Sequence, residues 1–189
     1  MTPDFTMAEA FLAALDPSGI FTFQTFDDQP GKKAPALARV LHGTFAQHRG
    51  DLAALSEAGA GVFVMVNEGD GIVKPNENSC RKNTNIIRVR MLFVDLDGAP
   101  LSPITDASPS PDIIVESSPG KWHTYWRVVD CPLDQFGPSQ TGLAKRFDGD
   151  EIVKDLARVM RLPGFPHQKG AAVMTMLRMI DGKKYEAKK

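Results

Sequence analysis

Apolar residues recur at helical spacing between Thr6 and Leu15, with Met7, Phe11, Leu12 and Leu15 on one side, Thr6 as a candidate N-cap and Glu9 three residues on. That is the signature of a capping box on a short helix, which Pro17-Ser18-Gly19 ends. Ile20 to Phe26 is β-branched and aromatic and predicts a strand, followed by a turn over Asp27 to Gly31. Leu37, Val40, Leu41 and Phe45 share a helical face and predict a helix over Ala36 to His48, continued over Asp51 to Ala58. The run Val62 to Val66 suits a strand buried on both faces, with a buried helical segment as the alternative. Asn67 to Asn85 reads as a long polar loop, a length that in a compact domain is more often functional than accidental. Ile86 to Leu96 predicts one strand suited to the middle of a sheet, and Ala99 to Pro111 a Pro/Ser-rich loop. Ile113 to Glu116 and Trp122 to Val129 flank Ser117-Ser118-Pro119-Gly120, the spacing of an antiparallel hairpin. Leu133 to Phe147 and Asp150 to Met160 predict helices, the second stopped by Pro163-Gly164, and Val173 to Ile180 a final strand. The Lys-rich end, KKYEAKK, reads as a frayed terminus or the start of a linker.

Composition narrows the class. At 189 residues, 42% of them hydrophobic, the chain can bury a sizeable core without disulfide or metal staples. Its length suggests one domain, or one catalytic core with a small appended module. With 22 basic against 23 acidic residues there is no global field for a polyanion, so such a partner must be met by a local patch. Cys80 and Cys131 have no metal-ligand spacing and read as two unlinked thiols in a reducing cytosol. The acidic start and the lack of an apolar run of about 20 residues point to a cytoplasmic protein with no membrane partner.

Three stretches carry chemistry. In Phe93-Val94-Asp95-Leu96-Asp97-Gly98 two carboxylates stand at i and i+2 of a strand and project from one face. Such a pair repels itself unless a cation lies between, and oxygen ligation with open positions suits Mg²⁺ or Mn²⁺; an ordinary solvated strand-end turn is the alternative. In Ser117-Ser118-Pro119-Gly120-Lys121-Trp122-His123, Lys121 and His123 share a strand face and could reach one phosphate, although a lone strand histidine is more often a packed one. In the third, Gly149 to Gly164 followed by Phe165-Pro166-His167-Gln168-Lys169, Arg158 and Arg161 lie three apart on a predicted helix and could grip one polyphosphate. Asp150 or Asp155 could add a third carboxylate.

In this order, DLDG, SSPGKWH and GDxxxxDLARVMRLPGFxHxK resemble the RepB-like branch of the archaeo-eukaryotic primase superfamily, the primase-polymerase domains of phages, plasmids and integrated elements. The resemblance runs from about Ala36 to Lys169. It implies Asp95 and Asp97 as the first motif, His123 as the second, and Asp150 as the third carboxylate, with Asp155 competing. The small hydroxyl residue of the second motif is Lys121 here, which leaves its part to Ser117 or Ser118. The implied activity is template-directed nucleotidyl transfer, as DNA primase or DNA polymerase, with Asp95, Asp97 and Asp150 holding two Mg²⁺ or Mn²⁺ ions. Ser118, Lys121, His123, Arg158, Arg161 and Lys169 would bind the incoming dNTP or NTP. Arg88, Arg90, Lys74, Arg81 and Lys82 are candidates for the single-stranded DNA template, with Trp122 or Trp126 available for stacking if exposed. A downstream helicase domain or protein is an expected partner.

The implied architecture is α/β (α+β in the stricter usage). A largely antiparallel RRM-like catalytic sheet over about residues 86–180 is fused to an N-terminal αβ module over about 1–85, with 181–189 as tail or linker. FVDLDG also resembles the first motif of haloacid-dehalogenase-type phosphatases, but there the motif normally opens the domain and is followed by Thr, whereas Ala99 follows here. A nucleic-acid-binding module without catalysis is the other alternative.

Overall fold

A computed structural model describes residues 1–31 and 33–186. Its elements run α1 (Phe5–Leu15), β1 (Phe21–Asp27), β2 (Val40–Gly43), α2 (Phe45–Glu57), β3 (Ala60–Met65), β4 (Glu68–Gly69), β5 (Ile86–Arg88), β6 (Met91–Leu96), α3 (Ser102–Thr105), β7 (Ile113–Ser118), β8 (Lys121–Arg127), α4 (Leu133–Arg146), β9 (Val159–Arg161), β10 (Pro166–His167), β11 (Val173–Met174), β12 (Met176–Ile180) and β13 (Lys183–Lys184). One sheet has the order β2-β1-β3-β9 and a second β13-β12-β7-β8-β6, with two-stranded ribbons β4-β5 and β10-β11. Every pairing among the described residues is antiparallel. This is the mixed α/β class with antiparallel sheets. Lys183 and Lys184 of the Lys-rich end pair with β12, whereas residues 187–189 lie outside the described residues.

Alternation of side chains across each strand decides what the sheets bury. Phe21 and Phe23 of β1, Val62 and Val64 of β3 and Met160 of β9 join Met91, Phe93 and Tyr125 of β6 and β8 in one core. Helix α1 fastens the two sheets together: Phe11 packs edge-on against Tyr125 at 5.6 Å, while Phe5 meets Phe45 at 5.9 Å and Phe165 at 6.2 Å. The reverse face of β6 and β8 buries Val94, Leu96 and Trp126 with Ile104 and Phe147, and Trp122 packs on the same cluster. Trp126 stacks on Phe147 at 5.5 Å and its Nε1 donates to the Pro109 carbonyl, so both tryptophans serve packing.

Several elements depart from their local pattern, most of them because a distant group captures the backbone. The N-cap of α1 is Asp4, which accepts from Met7 N, and not Thr6. Ala36 to His48 does not form one helix. Thr25 Oγ1 donates to the Leu37 carbonyl and accepts from Arg39 N, Gln24 Nε2 donates to the Arg39 carbonyl, and β2 pairs with β1. Helix α2 then starts from a capping box of Thr44 and Gln47. Ile86 to Leu96 breaks into β5 and β6, which lie in different sheets, because buried Arg90 is drawn to Asp16 at 2.5 Å and its amide donates to Asn67 Oδ1. Asp150 to Met160 is not a helix either: Val66 N donates to the Arg158 carbonyl, Leu162 N to the Val62 carbonyl, and β9 pairs with β3. Thr175, whose amide donates to the Phe165 carbonyl, divides the last strand into β11 and β12.

Strand β6 is the edge of its sheet rather than the middle, and its outward backbone groups are satisfied by other means. Phe93 N donates to Gln140 Oε1 at 3.2 Å, and Gln140 Nε2 donates both to the Phe93 carbonyl and, at 3.1 Å, to the Val153 carbonyl. Two residues further on, the Asp95 carbonyl accepts from Asp150 N at 3.0 Å. Gly149 permits that approach, since a Cβ there would lie 2.4 Å from Val94 Cγ1 and 3.2 Å from the Asp95 carbonyl oxygen. Gln140→Leu leaves three backbone groups unpartnered, at about 1–3 kcal/mol for a buried group. Urea denaturation is expected to show a loss of about 3 kcal/mol or more. Thr141→Ala, which removes only a hydroxyl bonded to the Gly137 carbonyl within α4, should stay within about 0.5 kcal/mol.

Candidate active site

The β6 face that buries Met91 and Phe93 emerges from the core at Asp95, which places this carboxylate at the rim, half-buried, with Asp97 just past the strand end on the same side and exposed. Across the sheet Asp95 pairs in register with His123 of β8. His123 Nε2 lies 3.7 Å from Asp95 Oδ1, too long for a hydrogen bond. Lys121, on the same face of β8, sets Nζ 2.5 Å from Asp97 Oδ1. These four side chains line a cleft of about 360 Å³, with Ser118, Arg158, Arg161 and Lys169 around the rest of it. Residues more than 70 positions apart thus meet at one cavity.

The charges are set against one another. Burial, together with the negative charges of Asp97 and Asp150, pushes the Asp95 carboxyl up to about 6. His123 is buried, and burial with the nearby Arg161 and His167 lowers it to about 3, so near neutrality it meets a ligand as an uncharged imidazole. Its Nδ1 has no hydrogen-bond partner among the described residues, nor do Arg158 Nε and His167 Nε2, which also belong to cleft-lining residues. Asp95, whose ionisation is opposed by burial and by the neighbouring Asp97 charge, stands with Asp97 as a set of hard oxygen donors open on the cleft side, which fits a divalent cation. Among the described residues no group of three or more His, Cys, Asp or Glu is drawn together as a metal cage. Asp150 approaches through its amide, while its own Oδ1 accepts from Ile152 N at 2.8 Å. Asp155 is turned to Arg158 at 2.5 Å.

The two arginines of the third motif part company. Arg158 is half-exposed in the turn before β9, its Nη2 also donating to the Ile152 carbonyl. Arg161 is buried on β9 and has both Nη groups on Asp28, at 2.8 and 3.1 Å, with its guanidinium over Phe63. Asp28, itself buried, was not distinguishable in the sequence from an ordinary turn aspartate; a clue was its place just beyond an apolar strand. His167, whose Nδ1 lies 3.3 Å from the Ser117 carbonyl, is another cleft residue outside the expected set, although it stands inside the FxHxK segment.

The expected template residues are not brought together. Arg90 is buried against Asp16 and the Ile20 carbonyl, and Arg88 pairs with Asp16 and Glu68, so both hold the β5–β6 bend. Lys74 donates to the Thr84 carbonyl within the long loop, and Lys82 is exposed there. Arg81 donates to Gln24 Oε1 at 2.8 Å and sits over Phe26, on the outer face of the first sheet.

Antiparallel sheets thus meet at a cleft with a carboxylate pair at the end of β6 and a rim of cations. The family model of the RepB DNA-primase N-terminal domain matches residues 75–188, more than half of the chain, and the chain belongs to that family. Solved structures extend the likeness of fold to the first sheet. The AEP domain of the cyanophage S-2L primase-polymerase matches with a TM-score of 0.70 at 18% identity, over 98% of this chain and 95% of that one. The catalytic domain of primase RepB' in complex with initiator DNA matches with a TM-score of 0.62 at 21% identity, over 96% and 88%. Primase RepB' matches with a TM-score of 0.65 at 19% identity, over 96% of this chain and 58% of that longer one. No curated protein matches the chain in sequence. Among the described residues no helix is long and apolar enough to cross a membrane, and Cys80 and Cys131 are free.

The strained carboxylate has a thermodynamic consequence. The folded protein holds the Asp95 proton more tightly than the unfolded chain, where the carboxyl titrates near 3.8, so ionising Asp95 removes stability as pH rises from about 4 to about 6. Asp95→Asn is therefore expected to be more stable than the parent in divalent-free buffer at pH 7, by about 2–3 kcal/mol, and to melt higher. The gap should shrink toward zero at pH 4. Equal melting of the two proteins at pH 7 would refute this reading of the site.

Proposed function

We propose that the protein is a template-directed nucleotidyltransferase, a DNA primase, DNA polymerase or both, acting in replication of a phage, plasmid or integrated element. The observation that carries this reading is the convergence of Asp95 and Asp97 with Lys121, His123, Arg158 and Lys169 on one cleft. Asp95 and Asp97 would hold Mg²⁺ or Mn²⁺, with Asp150 as the third ligand once its carboxylate leaves the Ile152 amide. When bound, such ions polarise the attacking 3′-hydroxyl and neutralise the triphosphate.

The chain's own groups supply the rest. Lys121 shields Asp97 in the metal-free protein and is freed for the nucleotide's phosphates when a cation replaces it. His123 contributes a neutral N–H or lone pair beside Asp95, which orients without adding charge. Arg158 and Lys169 face the cleft as cations for the polyphosphate, and Ser118 offers a hydroxyl. Arg161, neutralised by Asp28, would act on the nucleotide mainly by keeping the cleft floor flat. The template would be single-stranded DNA, and a helicase, in the same polypeptide or separate, would expose it.

Incorporation of labelled dNTPs and NTPs on a single-stranded template, with and without a primer, in Mg²⁺ and in Mn²⁺, tests this. Metal-dependent synthesis is expected, lower by at least about 100-fold in Asp95→Ala/Asp97→Ala, with Lys121→Ala raising the nucleotide KM more than it lowers kcat. Folded parent protein that neither synthesises nor binds nucleotide with divalent ions would overturn the reading.

A further inference from the structure

The outer face of the first sheet is covered along only half its width. Gln24 and Met65 lie under the long loop, where Arg81 reaches Gln24 and where Met65 packs with Ile86 and Ala157. Beyond them Phe26 of β1 and Phe63 of β3 stand on the same face, rings edge-to-face at 5.4 Å, with Phe26 36% exposed. A guanidinium flanks each ring: Arg81 over Phe26 at 5.7 Å and Arg161 over Phe63 at 4.6 Å. The hydrogen bonds of Arg81 go to Gln24 Oε1 and the Ala157 carbonyl, both uncharged, so its charge is not neutralised through them.

This face runs directly into the cleft. Phe63 is in register with Arg161 on the neighbouring strand, and both line the cavity that holds Asp95. Phe26 sits on β1, two strand spacings from β9, a distance of about 10 Å. An aromatic ring at the surface of a sheet, interleaved with arginines, is the chemistry that takes unpaired bases: every base has a π-face, and guanidinium planes stack and meet phosphate alike. A duplex would present its bases only edge-on here, and a pair of phenyl rings has no donor or acceptor with which to read an edge.

We propose that Phe26, Phe63 and Arg81 form a stacking platform for unpaired bases of a single-stranded nucleic acid entering or leaving the cleft. The proposal rests on the polymerase reading for the identity of that strand as template, but its contact chemistry does not. It replaces the expectation that Arg88 and Arg90 guide the template, since both are committed to Asp16 on another part of the fold.

Fluorescence anisotropy with a labelled oligo(dT) strand, in the absence of nucleotide and divalent ions, measures the platform alone. Phe26→Ala should weaken binding roughly tenfold in protein that still melts cooperatively, well above the assay temperature, and Arg81→Gln should weaken it and flatten its salt dependence. Phe26→Trp should restore binding, with the new indole quenched by the strand. A blunt duplex should bind equally to parent and Phe26→Ala. Unchanged oligo(dT) affinity in Phe26→Ala, no quenching in Phe26→Trp, or parent protein that binds no strand would overturn the platform. If strand binding depends on Phe26 while the parent neither synthesises nor binds nucleotide with divalent ions, the platform stands and the polymerase reading falls. Synthesis with strand binding indifferent to Phe26 means the reverse: the polymerase stands and the platform falls.

Discussion

An edge strand that carries the cleft's carboxylates poses a problem that the rest of the molecule is arranged to solve. The last strand of a sheet offers unpaired N–H and C=O groups to solvent or to another chain, and slips easily in register. Here the side-chain amide of Gln140 takes the place of a neighbouring strand at Phe93, and the Asp150 amide does the same at Asp95. The consequence is positional: the turn bearing Asp150 is bonded to the backbone of Asp95. Because Gln140 also binds the Val153 carbonyl, α4, β6 and the 150–153 turn form one hydrogen-bonded unit. Leaving the outer edge free of a full strand also leaves the rim of the sheet open at Asp95.

The electrostatics around that rim oppose stability and favour ligand binding. Asp95 is uncomfortable as an anion because burial and two like charges act on it, and His123 is kept uncharged by burial and by Arg161 and His167. Against these stands the buried Asp28–Arg161 pair, whose desolvation is offset by bidentate geometry and by a further hydrogen bond from Gln168 N to Asp28. That pair keeps one cation of the cleft quiet while Arg158 and Lys169 remain on its wall. Carboxyls and imidazoles displaced this far from their ordinary ionisation are concentrated at functional sites.

What could be read from the chain was what is local. The β7–β8 hairpin, the outward pair Asp95 and Asp97, the companions Lys121 and His123 and the order of the three motifs all follow from spacing or resemblance over short stretches. What failed was decided at long range. Val159 to Arg161 has apolar spacing compatible with a helix, but its partner strand lies about a hundred residues earlier, and the expected helix over residues 36–48 yields to the polar side chains of Thr25 and Gln24. Asp28 and Arg161 are 133 residues apart, and no period in either neighbourhood announces the other. Arg88 and Arg90 looked like surface cations because Asp16, at the far end of another helix, is invisible from their own strand.

The chain crosses between the sheets three times, after β3, after β8 and after β9, and α1 packs on both. Two sheets joined by one linker can move apart freely; three chain crossings, a shared helix and a common core resist such movement here. The smallest movements open to the cleft are then those of single side chains, a lysine leaving Asp97 or an aspartate leaving its own turn, while the walls keep close to one spacing.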